Sequence, residues 1–167
     1  MERETLNEAL WPRMLITGVL TGTVDVLLVI IINYKVPAAV IFKFVASGFF
    51  GQSAFSGGAD MVFYGLLFHY FIALCWATFF LLLYPQFIRV IKLKIVLMFV
   101  TGVVIWLVMS FVVLPLSDTP TQHFKALGVV EDITALIVAY GIPFTLVAGR
   151  FYKLQGRLTP QKALLPT

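Results

Sequence analysis

MLITGVLTGTVDVLLVIIIN, residues 14–33, carries a single charged side chain, Asp25. A run of about 20 predominantly apolar residues matches the roughly 30 Å of a bilayer's hydrocarbon core. It is too long for the apolar stretch of a cleavable signal peptide, it contains an acid, and no A-x-A-like site follows, so it is expected to remain in the mature protein. Three more runs of spanning length follow, at about 61–84, 95–116 and 128–149.

Composition agrees with that reading. Of 167 residues, 60% are hydrophobic and 12% charged, with a mean hydropathy of +0.99. A soluble domain of this length needs a polar exterior that 12 basic and 8 acidic residues cannot supply. The expected fold is an all-α integral membrane four-helix bundle, a single transmembrane domain over 1–167. The lone Cys75 lies inside an apolar run, which excludes an intrachain disulfide and a cysteine-based metal cluster.

The basic residues sit beside the apolar runs, as topology signals rather than as a nucleic-acid surface. Arg3, Arg13, Arg89, Lys92, Lys94, Arg150, Lys153, Arg157 and Lys162 flank one side of a four-span chain, against Lys35, Lys43 and Lys125 on the other. This bias puts both termini in the cytoplasm, with 150–167 as a basic tail. Tyr34, Tyr84 and Tyr152 lie near the expected boundaries, where amphipathic rings anchor. The start, MERETLNEALWPR, reads as a short interfacial helix ending near Pro12.

Between spans one and two, VIFKFVASGFF at 40–50 is apolar apart from Lys43 but too short to cross. It predicts an additional short interfacial or re-entrant helix, with Ala46, Ser47, Gly48 and Gly51 permitting close approach to its neighbours. The following Gly57-Gly58 lacks the Lys of a phosphate-binding loop and is followed by Asp60. The better reading is a chain reversal with Asp60 capping span two.

Asp25 and His69 are the residues a bilayer resists most, and by helical rise they fall at similar depth. Gly18, Gly22 and Asp25 share one face of span one, and Gly65 and His69 one face of span two, which makes Gly18, Gly22 and Gly65 helix-packing positions. The pair is read as a structural hydrogen bond that fixes helix packing or, alternatively, as a protonatable transport element. Glu131 and Asp132 suit a helix N-terminus; with Asp60, His123 and Asp118 they could instead form an outer acidic vestibule. Asp25, His69, Asp60, Glu131 and Asp132 are expected to share the only substantial polar pocket, in the outer half of the bundle and closed by the 40–60 segment. The two histidines make no zinc motif, so no metal site is expected. Pro143 with Gly141 should kink span four, and Pro115 and Pro120 should bend or stop span three.

The order of motifs ASGFFGQSAFSGGADM, GLLFHYFIALCWATFFLLLYP, VMSFVVLPLS and YGIPFTLVAGR resembles a family of small, uncharacterised four-span bacterial inner-membrane proteins over most of residues 40–150. The resemblance implies the topology and a bacterial origin, and no catalytic residues. The expected function is a structural or stress-related role in the membrane, the alternative a small proton-coupled transporter or channel using Asp25 and His69. An intramembrane enzyme ranks last, because Ser53, Ser56 and Ser110 lack any G-x-S-x-G or comparable setting. Expected partners are the lipid bilayer and, for a transport role, further copies of the chain. No cofactor and no nucleic acid is implied, and the ligand class stays open.

Overall fold

The computed structural model describes residues 2–120 and 126–158, with the side chains of 2–9 and 155–158 excepted. In chain order the helices are α1 (Glu2–Ile32), α2 (Ala38–Phe50), α3 (Ser53–Ser56), α4 (Ala59–Val90), α5 (Lys94–Val108), α6 (Leu114–Leu116), α7 (Ala126–Leu136) and α8 (Ile142–Leu158). Wide π-helical turns at Met109–Val113 and Ile137–Gly141 join α5 to α6 and α7 to α8 into two continuous rods. Four helical stretches, Leu10–Ile32, Ala59–Val90, Lys94–Leu116 and Ala126–Leu154, are long and apolar enough to cross a membrane. The chain is therefore a multi-pass membrane protein, with the shorter apolar α2 between its first two spans. Leu15, Ile16, Val19, Leu20, Leu27 and Ile31 on α1 stay exposed, as a lipid-facing surface should.

Several boundaries differ from the sequence reading. The N-terminal segment is no separate helix, since α1 runs through Pro12 without a break. A proline removes one backbone bond, and a bundle helix tolerates that loss. The basic tail is helical as far as Leu158, continuing α8. Tyr84 is buried in the core, and the half-buried Tyr152 stacks on it at 5.7 Å. Of the three boundary tyrosines, Tyr34 is the one that stands out from the protein, 76% exposed.

Without a hydrophobic force between helices in lipid, close contact depends on small residues. Gly18 and Gly22 of α1 lie against Leu74, Ala73 and Tyr70 of α4. Gly65 of α4 lies directly under the Phe42 carbonyl of α2, where a Cβ would collide with backbone. Gly102 of α5 meets Ile137, and Gly141 meets the Met98 carbonyl. These contacts make one group of α1, α2 and α4 and another of α5, α7 and α8. Between them the core is filled by Ala73, Ala77, Phe80, Leu81, Leu97, Ile105, Phe144 and Ala148. Ala46 and Ser47 of α2 are fully buried, so α2 is seated in the protein. Gly48 and Gly51 face the chain at 117–119 instead, and the Asp118 N–H donates to the Gly48 carbonyl at 3.2 Å.

Prolines explain both wide turns. Pro115 and Pro143 each follow the residue that closes a π turn, the Leu114 N–H reaching the Met109 carbonyl and the Ile142 N–H the Ile137 carbonyl. A proline ring clashes with the carbonyl four residues back, here Phe111 and Ala139, and each lies inside the widened segment. The expected kinks are thus realised as one-turn π bulges.

Candidate functional site: a polar cavity between the two helix groups

Tyr152 and Arg13 mark the end of the bundle that holds the described parts of both termini, with the Arg13 guanidinium 4.8 Å above the Phe151 ring. At the opposite end the two helix groups part, and a cavity of about 650 Å³ opens between them. Its walls come from α1 (Asp25, Asn33), α2 (Phe44), α4 (His69, Trp76), the α5 rod (Trp106, Ser110) and the α7 rod (Glu131, Asp132, Tyr140).

Asp25 and His69 both line this cavity, each with its own partner. The His69 Nε2 lies 2.8 Å from the Gly22 carbonyl. A carbonyl only accepts, so Nε2 carries the hydrogen and Nδ1 is left as the atom that can gain or lose a proton. Asp25 accepts a hydrogen bond from the Tyr140 hydroxyl at 3.3 Å. The direct Asp25–His69 bond expected from their depth is not among the contacts of the described residues. The imidazole instead turns to the helix backbone that the glycine exposes. The two remain electrostatic neighbours, with Asp132 next in range of Asp25. One residue along, the Tyr70 hydroxyl and the Thr23 hydroxyl meet at 2.9 Å, a second polar link between α1 and α4.

Tyr140 and Trp106 are site residues that sequence reasoning did not single out. Tyr140 is buried within the wide turn at 137–141 and packs edge-on against Phe144, 5.4 Å away. Trp106 lines the cavity beside Asp132. The sequence held a signal for the first, since a proline three residues after Tyr140 announces a distorted turn; nothing marked the second.

The expected vestibule is only partly assembled. Glu131 and Asp132 line the cavity, but they lie beyond the first turn of α7 rather than at its start. Asp60 is outside the cavity, in the first turn of α4, where the N-cap is Gly58 and no side chain closes the cap. Its carboxylate still meets the positive end of the helix dipole. His123 lies outside the described residues. Ser53 and Ser56 bond to the Phe50 and Ser53 carbonyls, whereas Ser110 lines the cavity. Among the described residues no group of three or more His, Cys, Asp or Glu could hold a metal ion.

Chemically, the site sets one carboxylate, one imidazole and one phenol along an apolar chamber, with two further carboxylates on its wall. Such a set can bind, release and pass protons. Comparison with family models, curated proteins and solved structures gives no match for this chain.

Proposed function

We propose that the protein is a small, non-enzymatic, proton-coupled transporter or channel of a bacterial inner membrane, with both termini in the cytoplasm. The observation that carries this reading is the cavity itself, with Asp25, His69 and Tyr140 on its walls. A carboxyl group that served only to glue helices would be enclosed by packing. Asp25 instead meets open space and is held by a single weakly bonded hydroxyl. A bound ligand and a proton would compete for this carboxylate, while the Nδ1 of His69 accepts the proton in transit. Bacterial origin rests on the resemblance of the motif order, and the orientation on the distribution of Lys and Arg.

The test is proton flux into vesicles reconstituted with the full chain and loaded with a pH-sensitive dye. An imposed pH gradient is expected to collapse faster with the wild type than with empty vesicles, and Asp25→Asn to abolish the difference while the protein remains folded. Unchanged flux in that variant would sink the transport reading.

A structural or stress-related role is the second reading, favoured by the bonds from His69 and Tyr70 to α1. Interhelical polar contacts of this kind average about 0.6 kcal/mol each, so their loss would lower stability without altering any flux.

A further inference from the structure

We infer that the cavity takes a lipophilic organic monocation. This rests on the reading of the cavity as a ligand site and adds the chemical class of the ligand.

Charge gives the sign. Among the described residues the lining contains three carboxylates, Asp25, Glu131 and Asp132, one imidazole and no lysine or arginine. An anionic ligand, or a lipid phosphate, would face these acids, while Lys43 of α2, which is not among the lining residues, is turned to the Phe55 carbonyl at 3.4 Å. A neutral ligand would leave the Asp25 carboxylate facing an apolar body, which is costly in a low-dielectric site.

The remaining walls decide between an inorganic and an organic cation. A bare metal ion needs several oxygens converging on one point. Here Asp25 is engaged by Tyr140, and Asp25 and Asp132 stand on different helices, α1 and α7. No metal-holding group of acids and histidines occurs among the described residues. Most of the chamber is aliphatic or aromatic, and the rings of Phe44, Phe55, Trp76 and Trp106 line it. Aromatic faces attract cations whose charge is spread over an organic body, most strongly when water is excluded. A volume of about 650 Å³ falls in the range that encloses a drug-sized molecule.

Valence follows from position. Glu131 and Asp132 are exposed, so water can screen them, and they serve to draw cations toward the opening. Asp25, half-buried where it lines the cavity, is the least exposed of the three acids, and one positive charge balances it. Protonation of Asp25 removes the attraction, so proton and ligand exclude one another.

The experiment is equilibrium binding to the full chain in uncharged detergent, with no gradient present, followed by tryptophan fluorescence in a Trp11→Phe background so that Trp76 and Trp106 report. The probes are tetraphenylphosphonium and tetraphenylborate, matched in size and opposite in charge. Saturable quenching is expected with the cation and not with the anion, and Asp25→Asn should weaken cation binding by about tenfold or more. Asp132→Asn, on an exposed wall, should weaken it by a smaller factor and serves if the Asp25 variant does not fold. Absence of saturable quenching by the cation, or equal binding of the anion, overturns the inference. Because no flux is measured, cation binding without proton flux would leave the inference standing and remove the transport reading. Proton flux without cation binding would do the reverse.

Discussion

The Leu81 carbonyl shows how a single residue's chemistry is resolved in this bundle. Pro85 lies inside α4 and has no N–H to give to the carbonyl four residues earlier, which is that of Leu81. Leu81 is fully buried, so water cannot serve as the substitute. The hydroxyl of Tyr152, on α8, donates to this carbonyl at 3.0 Å. Tyr152→Phe should therefore leave a buried acceptor unpaired and cost about 1–3 kcal/mol. In a Pro85→Ala background the backbone N–H returns and the same substitution should cost far less. Thermal or denaturant unfolding of the four proteins in detergent measures the coupling; additive losses would show that the hydroxyl has no such role. From sequence alone Tyr152 reads as an interfacial anchor, because position beside a basic segment is visible there and the freed carbonyl across the bundle is not.

At the scale of elements, hydrophobic run length alone identified the four spans and the short α2, since bilayer thickness imposes length directly on sequence. The depth match of Asp25 and His69 was legible for the same reason, because helical rise converts residue number into height. Their hydrogen-bond partners were not, since rise says nothing of which neighbour a side chain turns toward. The bulge that presents Tyr140 depends on where a proline ring pushes back the preceding turn. Pro143→Ala restores the missing N–H and removes the clash, so the segment 137–141 is expected to relax toward α geometry. One residue fewer in the wide turn rotates what precedes it by roughly 100°, which carries Tyr140 away from Asp25. A double-mutant cycle between Asp25→Asn and Tyr140→Phe should show a coupling of about 1 kcal/mol in the native background and none beside Pro143→Ala. Equal coupling in both backgrounds would mean that the bulge does not position the tyrosine.

For the whole molecule, the consequential feature is that its two ends differ. Arg89 and Lys94 flank the three-residue connection 91–93 between α4 and α5, and Lys92 lies within it. That end also holds Arg13 and the start of the basic segment at Arg150, and Lys94 approaches Gly149 of α8. The cavity lies at the other end, with Glu131 and Asp132 on its wall and Asn33 and Val36 at the close of α1. Basic flanks are retained on the cytoplasmic side of a bacterial membrane, and acids contribute little to that choice. The cavity is then expected to lie in the outer half of the bundle, where its carboxylates would meet ligands arriving from outside the cell. Single cysteines in a Cys75→Ser background decide the matter: Lys92→Cys in the short connection and Tyr34→Cys beyond α1, each treated with a membrane-impermeant maleimide. In intact cells position 34 should react and position 92 should not, while permeabilised cells should label both. The reverse pattern would place the cavity toward the cytoplasm. A proton-coupled cycle would then start from an inward-facing acid and carry its ligand in the opposite sense.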